Sequence, residues 1–136
     1  MSDIRRIAAL LIVALMSAAG LVAVSEAGGA WKLLGERVVN DRLDHDTIVV
    51  TATEGDFTAL RLTVQRRPVH FLDMKVHFAN GATQDIQIRA VIPAGGETRV
   101  LDLRGGDRVI RSVDFWYEAN SIGAGKRAQI RLFGRR

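Results

Sequence analysis

The chain has 136 residues, 48% of them hydrophobic, with 19 Lys and Arg against 15 Asp and Glu, a net charge of +4 and no cysteine. That length admits one small domain. The absence of cysteine excludes disulfides, thiolate metal sites and the lipobox of a bacterial lipoprotein, so packing alone must hold the fold.

Arg5 and Arg6 form a short positive region, Ile7 to Ala19 is almost wholly apolar, and Ser25-Glu26-Ala27 places small residues three and one positions before a cut. These features predict a signal peptide over residues 1–27, cleaved after Ala27, followed by a single domain over residues 28–136. An exported protein, periplasmic or secreted, is the expectation. The competing reading is a retained membrane anchor, because Ile7 to Val24 is 18 residues long and a spanning helix needs about 20. Ser17 and Gly20 interrupt that stretch and favour removal.

From Gly28 onward, short period-two segments are separated by Gly, Asn and Asp clusters about every ten residues, the pattern of a sandwich or barrel. Eight strands are expected. They run Trp31 to Val39, Asp46 to Ala52, Phe57 to Gln65, Val69 to Phe78, Gln84 to Ile92, Glu97 to Leu103, Val109 to Tyr117 and Arg127 to Phe133. Pro68 cannot donate to a ladder and marks a strand start, and Asn80-Gly81 supplies a tight hairpin turn. In the fourth segment, Leu72, Met74, Val76 and Phe78 alternate with Phe71, Asp73, Lys75 and His77, and the first set is expected inside. Ile86, Ile88, Ala90 and Ile92 form the expected inner face of the fifth. No sustained helical period occurs. The fold class is therefore an all-β antiparallel sandwich of jelly-roll or related type, with a closed small barrel as the alternative.

Few residues point to chemistry. No Gly-x-Ser-x-Gly elbow, phosphate loop or His-Glu-x-x-His pattern is present, and no enzyme is expected. Asp41, Asp44 and Asp46 offer oxygens to Ca²⁺, but their spacing matches no calcium loop, and a solvated turn accounts for them. His70 and His77, an odd number apart on one strand, point to opposite faces unless a bulge intervenes. No metal or cofactor is expected.

Phe115-Trp116-Tyr117 is more informative, because adjacent strand residues alternate faces and one of these rings must look outward. With Val109, Val113, Phe115 and Tyr117 inside, Trp116 shares the outer face with Ile110, Ser112 and Asp114. An exposed ring there suits stacking on a sugar; cover by Trp31 or the N-terminal segment is the alternative. Arg residues dominate the cations after Gly28, with only Lys32, Lys75 and Lys126 breaking the rule, and their planar forks suit anionic groups. The candidate ligand-binding set is Trp116, Asp114, Arg104, Arg108 and Arg127.

Trp31-Lys32-Leu33-Leu34-Gly35, the Asn80-Gly81 turn and the stretch Ala128 to Gly134 together resemble a family of small exported bacterial proteins of unknown function. The resemblance implies an exported β-rich domain and carries no activity. Lack of cysteine and the Arg-rich C-terminal third depart from that pattern. The run Leu103 to Tyr117 is also similar to strands of galactose-binding-like sandwiches.

The expected function is thus a non-enzymatic binding module for glycan or another anionic envelope polymer. The alternative is a periplasmic interaction or structural protein that pairs with an envelope protein. Nucleic acid is not an expected partner, and membrane contact is expected only through an uncleaved signal segment.

Overall fold

The computed structural model describes residues 30–39, 43–119 and 127–136. The expected signal segment and its cut after Ala27 lie outside the described residues, as do Asp41 and the loop from Asn120 to Lys126. Residues Trp31–Arg136 form one unit. Its strands are β1 (Trp31–Val38), β2 (Leu43–Val49), β3 (Asp56–Phe57), β4 (Ala59–Gln65), β5 (Val69–Phe78), β6 (Thr83–Ile92), β7 (Leu101–Asp102), β8 (Arg108–Glu118) and β9 (Gln129–Arg135). Among the described residues the only helical element is a single 3-10 turn, Ala52–Glu54.

The strands form two antiparallel sheets, ordered β1-β9-β4-β7 and β2-β8-β5-β6, with β3 also paired to β8. First and last strands are neighbours, β5 and β6 form a hairpin within one sheet, and β1 to β2, β3 to β4, β4 to β5, β6 to β7, β7 to β8 and β8 to β9 cross between the layers. This is the jelly-roll order of an all-β sandwich. The inner faces supply Leu62, Ile130 and Leu132 from one sheet and Met74, Val113 and Phe115 from the other, all essentially inaccessible to water. Each such side chain stabilises the fold by about 1.5–3 kcal/mol.

Two expected segments are divided. The run Phe57 to Gln65 breaks at Thr58, because Asp56 and Phe57 pair with β8 whereas Ala59 onward pairs with β9 and β7. Phe57, Ala59 and Leu60 are all buried, so the chain departs from period two where it changes sheet. In the expected strand Glu97 to Leu103, only Leu101–Asp102 forms a regular ladder, beside an isolated bridge between Thr63 and Glu97. The Thr98 hydroxyl replaces a backbone carbonyl there by accepting the Leu62 N–H at 3.1 Å.

Two expected faces are corrected. At Leu72 the register slips on both sides of β5, Ile88 and Arg89 lying against Leu72, and Leu72 and Asp73 lying against Trp116. Phe71 is therefore buried and Leu72 only half-buried. In β8 an extra residue, Arg111, separates the pairs His77–Ser112 and Phe78–Ile110. Ile110 consequently turns inward and Val109 does not. Both corrections come from bulges, which shift every side chain beyond them to the other face.

The family-like stretches meet in space. A register shift between Leu33 and Gly35 frees Leu34 to pack over Gly134, where an added Cβ would lie 2.9 Å from Leu34 Cδ1 and 2.8 Å from Phe57 Cδ1. Gly35 is equally confined: a Cβ there would approach Ile48 Cγ2 to 2.5 Å.

Candidate functional site

The outer face of the β2-β8-β5-β6 sheet carries most of the outward polar side chains singled out by sequence. Ser112, Asp114 and Trp116 of β8 project from it between His45 and Thr47 of β2 and the outward residues of β5. Trp116 is half-buried and stacks on His45, ring centroids 4.6 Å apart and planes 11° from parallel. Trp31 does not cover it, because Trp31 belongs to the other sheet.

Asp114 organises the middle of this face. Its carboxylate accepts a hydrogen bond from the Thr47 hydroxyl, meets His77 Nε2 at 2.8 Å and lies 3.6 Å from His45 Nε2. Burial by itself would raise the Asp114 carboxyl, but the hydrogen bonds from Thr47 and His77 and the attraction of the two imidazoles outweigh it. The net effect holds the group below its ordinary value of 3.8.

The histidines therefore behave differently from the alternation rule. The bulge at Leu72 brings His70 and His77 to one face of β5, yet they serve different acids, His70 reaching Glu118 at 3.2 Å and His77 reaching Asp114. It is His45 and His77, from strands on either side of β8, that converge. Asp44, His45 and Asp46 belong to a strand rather than a turn. Asp46 faces inward and accepts the Tyr117 hydroxyl at 2.8 Å. Among the described residues, no group of three or more His, Cys, Asp or Glu could hold a metal ion.

Beside Trp116 an open groove of about 400 Å³ is lined by Asp73, Lys75, Asp85, Gln87 and Arg89 of the β5–β6 hairpin. Arg89 meets Asp73 at 3.1 Å and Lys75 meets Asp85 at 3.6 Å. Residues 8–134 match DUF2541, a domain of unknown function. The chain belongs to the DUF2541 family. That membership bears out the expected resemblance to a family without an assigned activity. In fold, this DUF2541 chain is similar to AlgX of Pseudomonas aeruginosa, with a TM-score of 0.50 at 20% identity over 78% of this chain and 26% of AlgX. The DUF2541 chain thus spans about a quarter of the length of AlgX, and the similarity concerns the fold. No curated protein matches it in sequence.

Of the candidate residues, the structure joins Trp116 and Asp114 and separates the three arginines from them. Arg108 is eight residues down β8, roughly 25 Å from Trp116 at strand spacing, with its guanidinium 3.7 Å over the Phe78 ring and Nη1 donating to the Arg104 carbonyl at 2.7 Å. The Arg104 N–H donates to Gln84 Oε1 at 2.8 Å. These two arginines brace the Gly105-Gly106 turn, whose residues have φ of 92° and 81°. Arg127 donates to the Val39 carbonyl at 3.4 Å, just ahead of β9 in the other sheet. The hairpin residues that do flank Trp116 are distant from it in sequence. Their outward alternation was visible, but only strand order puts β5 next to β8.

Proposed function

We propose that this protein is an exported, non-enzymatic glycan-binding module and that the groove beside Trp116 is its site. The observation that carries this reading is a partly exposed indole flanked by carboxylates, an amide and a guanidinium in one open groove. A pyranose can lay its C–H face on such a ring while its hydroxyls meet the polar side chains. Asp73, Asp85, Lys75 and Arg89 all sit in exposed ion pairs, each worth about 1 kcal/mol or less. They are cheaply exchanged for sugar hydroxyls.

The same pairs make the groove close to neutral, so a neutral, hydroxyl-rich glycan fits better there than a polyanion. Its carboxylates are solvent-exposed, unlike the desolvated acids that usually transfer protons. The apolar run Ile7 to Val24 followed by Ser25-Glu26-Ala27 supports export. Strand addition by a protein partner is the weaker reading at the β6 edge, because the Arg89 bulge breaks the flat row of backbone groups such addition needs.

A glycan-array screen with the full chain and Trp116→Ala tests the proposal. Wild type is expected to bind at least one neutral glycan, with affinity falling by about tenfold or more in the variant, a loss of roughly 1.4 kcal/mol. Indistinguishable results for the two proteins, bound or unbound, would overturn it.

A further inference from the structure

The outer face of the β1-β9-β4-β7 sheet carries a second cluster, independent of the Trp116 groove. Trp31 lies opposite Arg135 in the β1–β9 ladder, and Arg61 lies opposite Phe133 in the β4–β9 ladder. The Arg61 guanidinium carbon is 4.2 Å from the Trp31 ring centroid and that of Arg135 is 4.9 Å from it. The two cations are therefore no more than about 9 Å apart. A ring face attracts each of them, but like charges at this separation repel.

Their donors are also under-used. Arg61 Nη1 meets Glu97 at 3.3 Å, and the neighbouring Arg131 meets Glu36 at 3.0 Å. No carboxylate among the described residues pairs with Arg135. The Nε atoms of both Arg61 and Arg135 are buried without an acceptor. A buried charged donor left unmatched is costly, and because both Nε atoms are closed to solvent, an incoming oxyanion would meet the two arginines through their Nη atoms.

We propose that Arg61 and Arg135, propped on Trp31, form a binding site for a phosphate group. A carboxylate presents two oxygens and is satisfied by one guanidinium fork, whereas a phosphate has oxygens for two; Glu97 meets Arg61 through Nη1 alone. Arg61, Arg131 and Arg135 outweigh Glu36 and Glu97 on this face, leaving room for negative charge. Leu33, 48% exposed, and half-buried Phe133 pair beside the cluster and give the body of a phosphorylated ligand an apolar margin.

The test follows the Arg Nε–H NMR signals of the full chain as sodium phosphate replaces sodium chloride at constant ionic strength. Saturable shifts at Arg61 and Arg135 are expected, with affinity reduced by about tenfold or more in Arg135→Gln and unchanged in Trp116→Ala. That last result separates this site from the glycan groove. If Arg135→Gln does not fold, Arg61→Gln serves the same purpose. Shifts that chloride reproduces, or an affinity indifferent to both arginines, would overturn the proposal. Parallel titrations with glucose 1-phosphate and with phosphatidylglycerol vesicles distinguish a sugar phosphate from a lipid headgroup. Arginine-dependent binding to either supports the site, and arginine-independent binding counts against it.

Discussion

A methyl group at Gly134 would press on Phe57 and Leu34 at once, and the fully buried Phe57 has no space to withdraw in a close-packed interior. Gly134→Ala is accordingly expected to lower unfolding free energy by about 1–3 kcal/mol, measured by urea denaturation. Asp114 makes a different prediction. Its folded-state carboxyl lies below its ordinary value of 3.8, so its contribution is complete above that pH and disappears as pH falls through the folded value. The stability difference between wild type and Asp114→Asn should therefore be largest near neutrality and shrink below pH 3.8. A difference that stays constant down to strong acid would show that Thr47 and His77 do not stabilise the charged form. Trp116 could be picked out at this scale because three consecutive aromatics on a strand cannot share a face. Its partner His45 could not, since nothing local indicates which ring a histidine will meet.

Strand β6 carries the bulge that shapes one side of the groove, and Arg89 adopts φ of 47° within it. That left-handed conformation costs a residue with a Cβ roughly 1–2 kcal/mol and costs glycine little. Arg89→Gly should be neutral or stabilising in thermal unfolding, whereas β-branched Arg89→Val should destabilise by about 1 kcal/mol or more. Equal destabilisation by both would mean that the Asp73 ion pair, rather than backbone strain, dominates at this position. Strand locations were readable from alternation and turn residues, and β5 was predicted with its observed ends. The bulges were not, because an extra residue in a ladder becomes visible only against its partner strand. For that reason Phe71 and Ile110 were assigned to the wrong face.

In the whole molecule, jelly-roll order places β8 between β2 and β5, and every functional inference above depends on such neighbours. Sequence by itself determined the all-β class, the Gly- and Pro-marked turns and the outward aromatic Trp116, because side-chain period, Gly and Pro chemistry and apolar content act locally; the turn expected at Asp44 to Asp46 is a strand. It also marked Trp31 to Gly35 and Ala128 to Gly134 as family-like stretches. Tertiary structure decided that these stretches pack together, that the arginines at Arg104 and Arg108 brace a turn far from Trp116, and that Asp73 to Arg89 replace them around the ring. It likewise set Arg61 and Arg135 on Trp31. The physical reason is that strand pairing joins residues many positions apart through backbone hydrogen bonds common to all residues, so their side chains alone do not announce which strands will be neighbours.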